Sequence, residues 1–248
     1  MSVFLRVVSA REICLMCTSN QFRHSLCNGI FANLKPPVTK NFFKVETILN
    51  DMRHQQVIDF IFNNSYPRSS ERKPTAIGQG ILSLIDEVPY LLDERVSLMA
   101  LDSRNDRVIG VAINSNSSLN TVSLDRPSPN IGVKAYRSCL KQLQMDSNIV
   151  EKRKEKQGLD LVYLGVKECF ERRGIARNLT EQSIQLAQQR KLDYIQSITF
   201  CPDTWNIFKS LEFETLKKYK LMDHWIEGVK AFPNAGPDDF VYLEMKML

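Results

Sequence analysis

Histidine is scarce in this chain: among 248 residues there are three, His24, His54 and His224, widely separated. No pair of imidazoles stands ready for proton relay or metal binding. Cysteine is little more abundant, with Cys14, Cys17, Cys27, Cys139, Cys169 and Cys201. Cys14-x-x-Cys17 is the single close pair, and no second pair follows at zinc-like spacing. With Cys27 it still lacks the ligand count of a structural zinc site, so no metal is expected. A disulfide framework does not suit a chain of this size without a secretory signal, and Arg6 interrupts Val3-Phe4-Leu5 before any apolar signal core can form. Reduced thiols and a cytoplasmic protein are therefore expected. No apolar run approaches the roughly 18 residues that cross a bilayer. The two commonest phosphate motifs, Gly-x-x-x-x-Gly-Lys-Ser/Thr and Gly-x-Gly-x-x-Gly, are missing.

Acid is nearly missing from the first 40 residues. Arg6, Arg11, Arg23, Lys35 and Lys40 stand there against Glu12 alone. The remainder holds 28 basic and 27 acidic residues, out of 33 and 28 in all. A near-neutral body argues against a nucleic-acid partner. Residues 1–40 are expected to be a basic arm, and their composition also fits a mitochondrial transit segment. Residues 41–248 are expected to form the working domain.

What the body does contain is one well-marked unit at Val162–Ala187. Leu159, Leu161, Val162, Leu164 and Val166 are apolar on both strand faces, as in a central buried strand. Ile175, Leu179, Ser183 and Ala187 then recur at helical spacing. Between them lies Arg172-Arg173-Gly174-Ile175-Ala176. A helix start offers unpaired N–H groups and the positive end of a dipole. Glycine admits a close ligand and arginine adds bidentate donors. The combination is an anion cradle fit for a pyrophosphate. A plain β-α unit with solvated arginines remains the alternative.

Around this unit the patterning predicts a strand at 42–48 and a helix through Val57, Ile58, Ile61 and Phe62 that stops at Tyr66-Pro67. A second helix follows at 77–92. Val96–Leu101 and Val108–Ile113 form a hairpin about Asp102–Asp106. Residues 115–130 are a loop and 131–149 a helix, and the charge run 151–158 is a solvated connector. Beyond the central unit come a strand at 194–200, a helix at 204–211, and strands at 213–222 and 240–245. The order describes one α/β domain, a mixed central sheet flanked by helices.

This order, together with Arg172-Arg173-Gly174-Ile175-Ala176, resembles the GNAT superfamily of acyl-CoA N-acyltransferases, whose signature is Gln/Arg-x-x-Gly-x-Gly/Ala. Glu171 occupies the first signature position here. A narrower resemblance, to invertebrate arylalkylamine N-acetyltransferases, is carried by Ala100-Leu101-Asp102, Val108-Ile109-Gly110-Val111, the run Gly174–Glu181, Gly228-Val229-Lys230-Ala231-Phe232 and Met245-Lys246.

The resemblance implies a GNAT fold and transfer of an acetyl group from acetyl-CoA to a primary amine in a ternary complex. The amine would be an arylalkylamine such as dopamine, serotonin, tyramine or octopamine. Polyamines or peptide amines, or a CoA-binding module without catalysis, are the alternatives. It implies that Leu164, Gly165 and Val166 splay from the next strand and hold the pantetheine arm. Arg172, Arg173, Gly174, Ile175, Ala176 and Arg177 would then hold the pyrophosphate. For the base, Glu71 in Glu71-Arg72-Lys73-Pro74 and His224 are the candidates, with His24 and His54 set aside. Phe208 stands where many relatives carry a tyrosine that protonates the leaving thiolate, which leaves Thr204 and Cys201 as weak substitutes. Phe62, Tyr66 and Trp225 are candidate aromatic contacts for a small-molecule amine, and the protein is expected to act as a monomer.

Overall fold

The computed structural model describes residues 42–49, 51–72, 87–116, 130–145 and 149–248, with backbone alone for Asp51, residues 65–72 and Val150. The basic arm with Cys14, Cys17, Cys27 and His24, most of the predicted helix 77–92 and most of the loop 115–130 lie outside them.

In chain order, strand β1 (Phe43–Thr47) leads to helix α1 (Asp51–Arg72) and the short α2 (Val88–Asp93). A hairpin follows, β2 (Leu98–Asp102) and β3 (Val108–Ser115). Helices α3 (Ile131–Met145) and α4 (Ile149–Arg153) precede β4 (Gly158–Val166). The long helix α5 (Ile175–Gln189), β5 (Tyr194–Thr199), α6 (Pro202–Ser210) and β6 (Glu214–Lys220) come next. A small hairpin, β7 (Trp225–Ile226) with β8 (Val229–Lys230), precedes β9 (Phe240–Met247). Seven strands form one sheet in the order β1-β2-β3-β4-β5-β9-β6. It is a mixed sheet, with β4 and β5 parallel and the other neighbours antiparallel.

Helices cover both faces, and side-chain contacts say which covers what. Val111 and Ile113 of β3 share a core with Val57 and Ile61 of α1. Asn114, the next residue, turns the other way and donates to Ser183 Oγ of α5 at 3.0 Å. On the other half of the sheet, Leu243 and Met245 of β9 pack with Cys139 and Leu143 of α3. Tyr242, which precedes Leu243 and so points to the other face, stacks on Trp205 of α6 with centroids 4.9 Å apart. Gly158 of β4 lies against the Tyr194 ring of the α3 core. Leu161, on the opposite face of that strand, pairs with Asn114. Thus α1 and α3 share one face, and α5 and α6 the other. Two-sided cover explains why β2 is buried throughout and why these strands read as unbroken apolar runs.

The strand that matters most is β4. Ile113 of β3 pairs with Tyr163, but Asn114 pairs with Leu161, so Val162 is an extra residue on β4. Such a bulge bends a strand and re-aims the residues beyond it. The parallel ladder to β5 runs Gly158↔Tyr194 to Leu161↔Ser197 and stops there. Beyond it β4 continues with β3 to Val166, and β5 continues with β9 to Thr199. The sheet therefore opens between two strands that are both otherwise paired.

Three sequence expectations change. Helix α1 does not stop at Tyr66-Pro67 but runs to Arg72. A proline removes one backbone hydrogen bond from a helix without forbidding its continuation. The charge run beginning at Glu151 is no simple solvated connector. Its start closes α4, and Arg153 donates to Gln196 Oε1 on β5 through Nε at 2.9 Å and Nη2 at 2.6 Å. The β7–β8 hairpin was not anticipated, since two-residue strands carry no periodicity.

Gly110 on β3 sets the seat of α5. A Cβ there would stand 2.9 Å from Ile175 Cγ2 and 3.2 Å from Leu179 Cδ1. Gly110→Val is expected to cost about 2 kcal/mol through overpacking, seen as a fall in Tm of roughly 4–8 °C by calorimetry. An unchanged Tm would mean that α5 is not seated by this contact.

Candidate functional site

The opening between β4 and β5 is a cavity of about 720 Å³. It crosses the sheet. Asn64 of α1 and Tyr136 of α3 line it from one face, while the first turn of α5 and one side of α6 line it from the other. Residues 161–166 and 197–201 form its strand walls. Lys167 N–H bonds to Ile109 carbonyl at 2.9 Å, in line with the pairs Val111↔Gly165 and Ile113↔Tyr163. Alternation in an antiparallel ladder then directs the peptide groups of Leu164 and Val166 away from β3, toward the side that β5 has left. Gly165 has a different reason to be glycine: a Cβ there would fall 2.2 Å from the Tyr163 hydroxyl, so Tyr163 lies over it.

The turn before α5 forms one end of the cavity. Arg172 and Gly174 both adopt left-handed backbone, with φ of 59° and 81°. At Gly174 nothing lies within 4 Å of an added Cβ, so glycine is required for its dihedral angles and not for space. Gly174 caps α5 without any side-chain hydrogen bond, and the first intrahelical bond is Asn178 N–H to its carbonyl at 2.9 Å. The N–H groups of Ile175, Ala176 and Arg177 therefore have no partner in their own helix. Glu171, Arg172, Gly174, Ile175, Ala176 and Arg177 line the cavity, whereas Arg173 does not. The Arg173 guanidinium lies over the Phe170 ring, 5.4 Å from its centroid. Arg172 pairs with Asp203 at 3.1 Å on the surface, a contact of little net worth. Arg177 bonds to Glu181 at 2.8 Å and to Ser210 Oγ at 2.9 Å, tying α5 to α6.

Helix α6 presents Asp203, Thr204, Asn206, Ile207 and Ser210 to the cavity. Phe208 is on its other side, 1% exposed and packed on Phe213 with centroids 4.9 Å apart. Sequence comparison put it where a proton donor would stand; in the fold that position is core. His224 is likewise displaced from expectation. It is 4% exposed and is not among the cavity residues. Its Nδ1 faces the Tyr219 hydroxyl at 3.3 Å and its Nε2 the Ser138 hydroxyl at 3.2 Å. Burial pushes its pKa below the usual histidine value. Phe62 and Trp225 are half exposed and do not line the cavity either. Glu71 is in the last turn of α1, and its side chain, like that of Tyr66, lies outside the described residues. Sequence reasoning missed Asn64, Tyr136, Tyr163 and Phe200. The last directly follows β5, and a large aromatic at the end of a central parallel strand was the one available signal. Among the described residues no group of three or more His, Cys, Asp or Glu could hold a metal, and no helix is long and apolar enough to cross a membrane.

The fold has counterparts among solved structures. The fold is that of the GNAT acyltransferases. Arylalkylamine N-acetyltransferase 2 of Aedes aegypti superposes with a TM-score of 0.67 at 21% identity, covering 84% of this chain and 99% of that one. A mosquito arylalkylamine N-acetyltransferase-like protein, 5b, gives 0.68 at 15% identity, with 83% and 100% covered. The Drosophila melanogaster polyamine N-acetyltransferase that forms N-acetylagmatine gives 0.67 at 13% identity, with 83% and 100% covered. No family model and no curated protein matches the sequence.

Two buried carboxyls flank the place where the GNAT sheet opens. Asp160 pairs with Gln196 one residue before the last β4–β5 pair. It accepts a hydrogen bond from Gln196 Nε2, and its Oδ2 has no hydrogen-bond partner. Burial pushes it up to about 7, against the pull of Arg153. Glu244 of β9 pairs with Ser197 and Thr215 and is fully buried. Trp205 Nε1 and Thr215 Oγ1 face it but bond to each other at 3.2 Å, and neither carboxylate oxygen closes a hydrogen bond. Burial raises Glu244 to about 7 as well.

A carboxyl whose pKa is higher in the folded state favours the fold while protonated. Its contribution is complete at low pH and is lost as pH rises through the folded value. Tm should therefore decline from about pH 4 to about pH 7 and level off above it, and the decline should flatten in Asp160→Asn and in Glu244→Gln; parallel melting curves for wild type and variants would contradict these shifts. Phe208→Tyr should lower stability by about 1–3 kcal/mol, because its hydroxyl would be buried without a partner. It should not accelerate any acyl transfer, as measured by Tm and thiol release.

Proposed function

We propose that this chain is an acetyl-CoA-dependent N-acetyltransferase acting on the primary amine of arylalkylamines. The observation that carries the reading is a cavity crossing the sheet, with an open helix N-terminus beside arginines at one end and an aromatic wall at the other. On the α5–α6 side, the N–H groups of Ile175, Ala176 and Arg177 and the side chains of Arg172 and Arg177 belong to residues that line the cavity, and they are the donor types that a pyrophosphate requires. Arg173 adds charge from outside the lining. Glu171 opposes the anion, so binding rests on the backbone and on these arginines. Leu164, Gly165 and Val166 supply a strand edge that can align the pantetheine amides and polarise the thioester carbonyl.

The amine attacks that carbonyl directly, and it must be neutral to do so. An alkylammonium has a pKa near that of lysine, so about one molecule in a thousand is neutral at pH 7, and a base or water chain must take its proton. Glu71, two turns beyond Asn64 along α1, is the proposed base. His224, whose ring nitrogens are both engaged, is not. The departing CoA thiol has a pKa close to that of cysteine and can leave as thiolate; Thr204 and Cys201, both at the cavity wall, can hydrogen-bond to it. Residues 41–248 are read as the catalytic domain, monomeric and cytoplasmic, with 1–40 as a basic arm.

The second reading is a polyamine or agmatine acceptor, the activity of the Drosophila neighbour. A second cation wants a carboxylate opposite it. The acids among the described lining residues, Glu171 and Asp203, stand on the α5–α6 side, which favours the aromatic amine.

With purified protein, acetyl-CoA and a thiol-release readout, tyramine, serotonin, dopamine and octopamine should turn over, and spermidine and agmatine should not. CoA binding without turnover of any amine would replace this reading with a non-catalytic CoA-binding module. Arg177→Ala should raise the KM for acetyl-CoA about five- to tenfold, with the change in KM rather than kcat. An unaltered KM would remove Arg177 from the cradle.

A further inference from the structure

Tyr136 brings a phenol to the cavity. It projects from α3 on the face opposite α5 and α6, and its ring stacks on Phe200 with centroids 5.4 Å apart and planes inclined by 29°. Its hydroxyl makes no hydrogen bond among the described residues. Tyr136 is partly buried at the cavity wall, where a phenol without a protein partner is left to bond to whatever occupies the cavity. Phe200 has no polar side-chain atom, Cys139 one turn on is fully buried in the α3 core, and Glu87 faces Arg137, with 4.0 Å between Oε1 and Nη2. Burial, reinforced by Cys139 and Glu87, holds the phenol well above its ordinary pKa. It therefore remains a hydrogen-bond donor at any physiological pH and cannot act as the base.

We infer that Tyr136 reads the acceptor substrate, donating its phenolic hydrogen to a ring hydroxyl on an arylalkylamine whose aromatic ring lies along the Tyr136–Phe200 pair. This rests on the function proposed above and extends it from a substrate class to a preference within that class. The reacting nitrogen must reach the β4 edge at Leu164–Val166, where the sheet is open. The rest of the amine then extends toward the face that the anion cradle does not occupy, and that wall is aromatic. A ring there finds an offset stack, and a hydroxyl on that ring finds the Tyr136 donor. A site that offers a buried hydrogen-bonding group discriminates against a ligand lacking the matching atom, because the protein group is then stranded.

Tyramine and β-phenylethylamine differ by that single hydroxyl. The wild-type protein should favour tyramine in kcat/KM by about five- to tenfold, carried mainly by KM. In Tyr136→Phe, which keeps the ring and its stack, the ratio should fall to near one, with Tm checked to show that the variant is folded. Phe200→Leu should weaken both aromatic amines relative to hexylamine. Calorimetric titration of CoA-loaded protein with the two amines gives the same ratio without turnover. Turnover or binding of both amines with an undiminished tyramine preference in Tyr136→Phe overturns the inference and leaves the proposed function standing. Failure of the wild-type protein either to bind or to acetylate any arylalkylamine overturns both.

Discussion

The separation of β4 from β5 after Leu161 and Ser197 is the constraint on which the rest of the site depends. A parallel pair in the middle of a sheet normally consumes its backbone groups along its whole length. Here the extra residue Val162 bends β4 while its pairing to β3 holds, and β5 stays with β9. Each strand keeps one partner and loses the other. The sheet remains stable at its margins and is open at its centre, with peptide groups of β4 turned toward the gap. The last rung is fastened from both sides: Ser197 Oγ donates to Leu161 carbonyl at 2.7 Å, and Arg153, Gln196 and Asp160 form a chain of hydrogen bonds one residue earlier. The opening begins where that fastening ends.

Helix placement depends on the same opening. Gly110 lets α5 approach β3 closely enough for its N-terminus to stand at the mouth of the gap. Arg177 then joins α5 to Ser210 of α6, so the two helices on that face form one wall. The opposite wall comes from α1 and α3. Two faces of different chemistry thus meet through a single hole. Basic and backbone donors lie on one side and the Tyr136 and Phe200 rings on the other. Of the buried carboxyls, Asp160 lies in β4 at the border of the hole and Glu244 in β9, one strand beyond β5. Their raised pKa values link the stability of this region to pH without making either of them a group that touches substrate.

The central unit was legible from one sequence because its signals are local. Strand, turn and helix from Leu159 to Ala187 are written in an apolar run on both strand faces, a glycine and a 3.6-residue period, and the structure places them at Gly158–Val166 and Ile175–Gln189. What misled were positions whose meaning depends on a distant neighbour. Phe208 was matched to a catalytic tyrosine by its distance along the chain, yet a rotation of α6 turns it into the core against Phe213. His224 was a candidate base, but its ring is buried and meets Ser138 of α3, 86 residues away. Arg153 sat in a run of charges that reads as solvent-facing until Gln196 is placed opposite it.

By itself the sequence determined the order of the main elements, the two-sided burial of the central strands and the glycine-started turn at 171–177, because each is set by residues within one or two turns of each other. Only the tertiary structure decided where β4 leaves β5, which side of α6 faces the cavity, and that Tyr136 and Phe200, 64 positions apart, meet across the opening. Those outcomes depend on register and on packing between elements remote in the chain, and no local period records them.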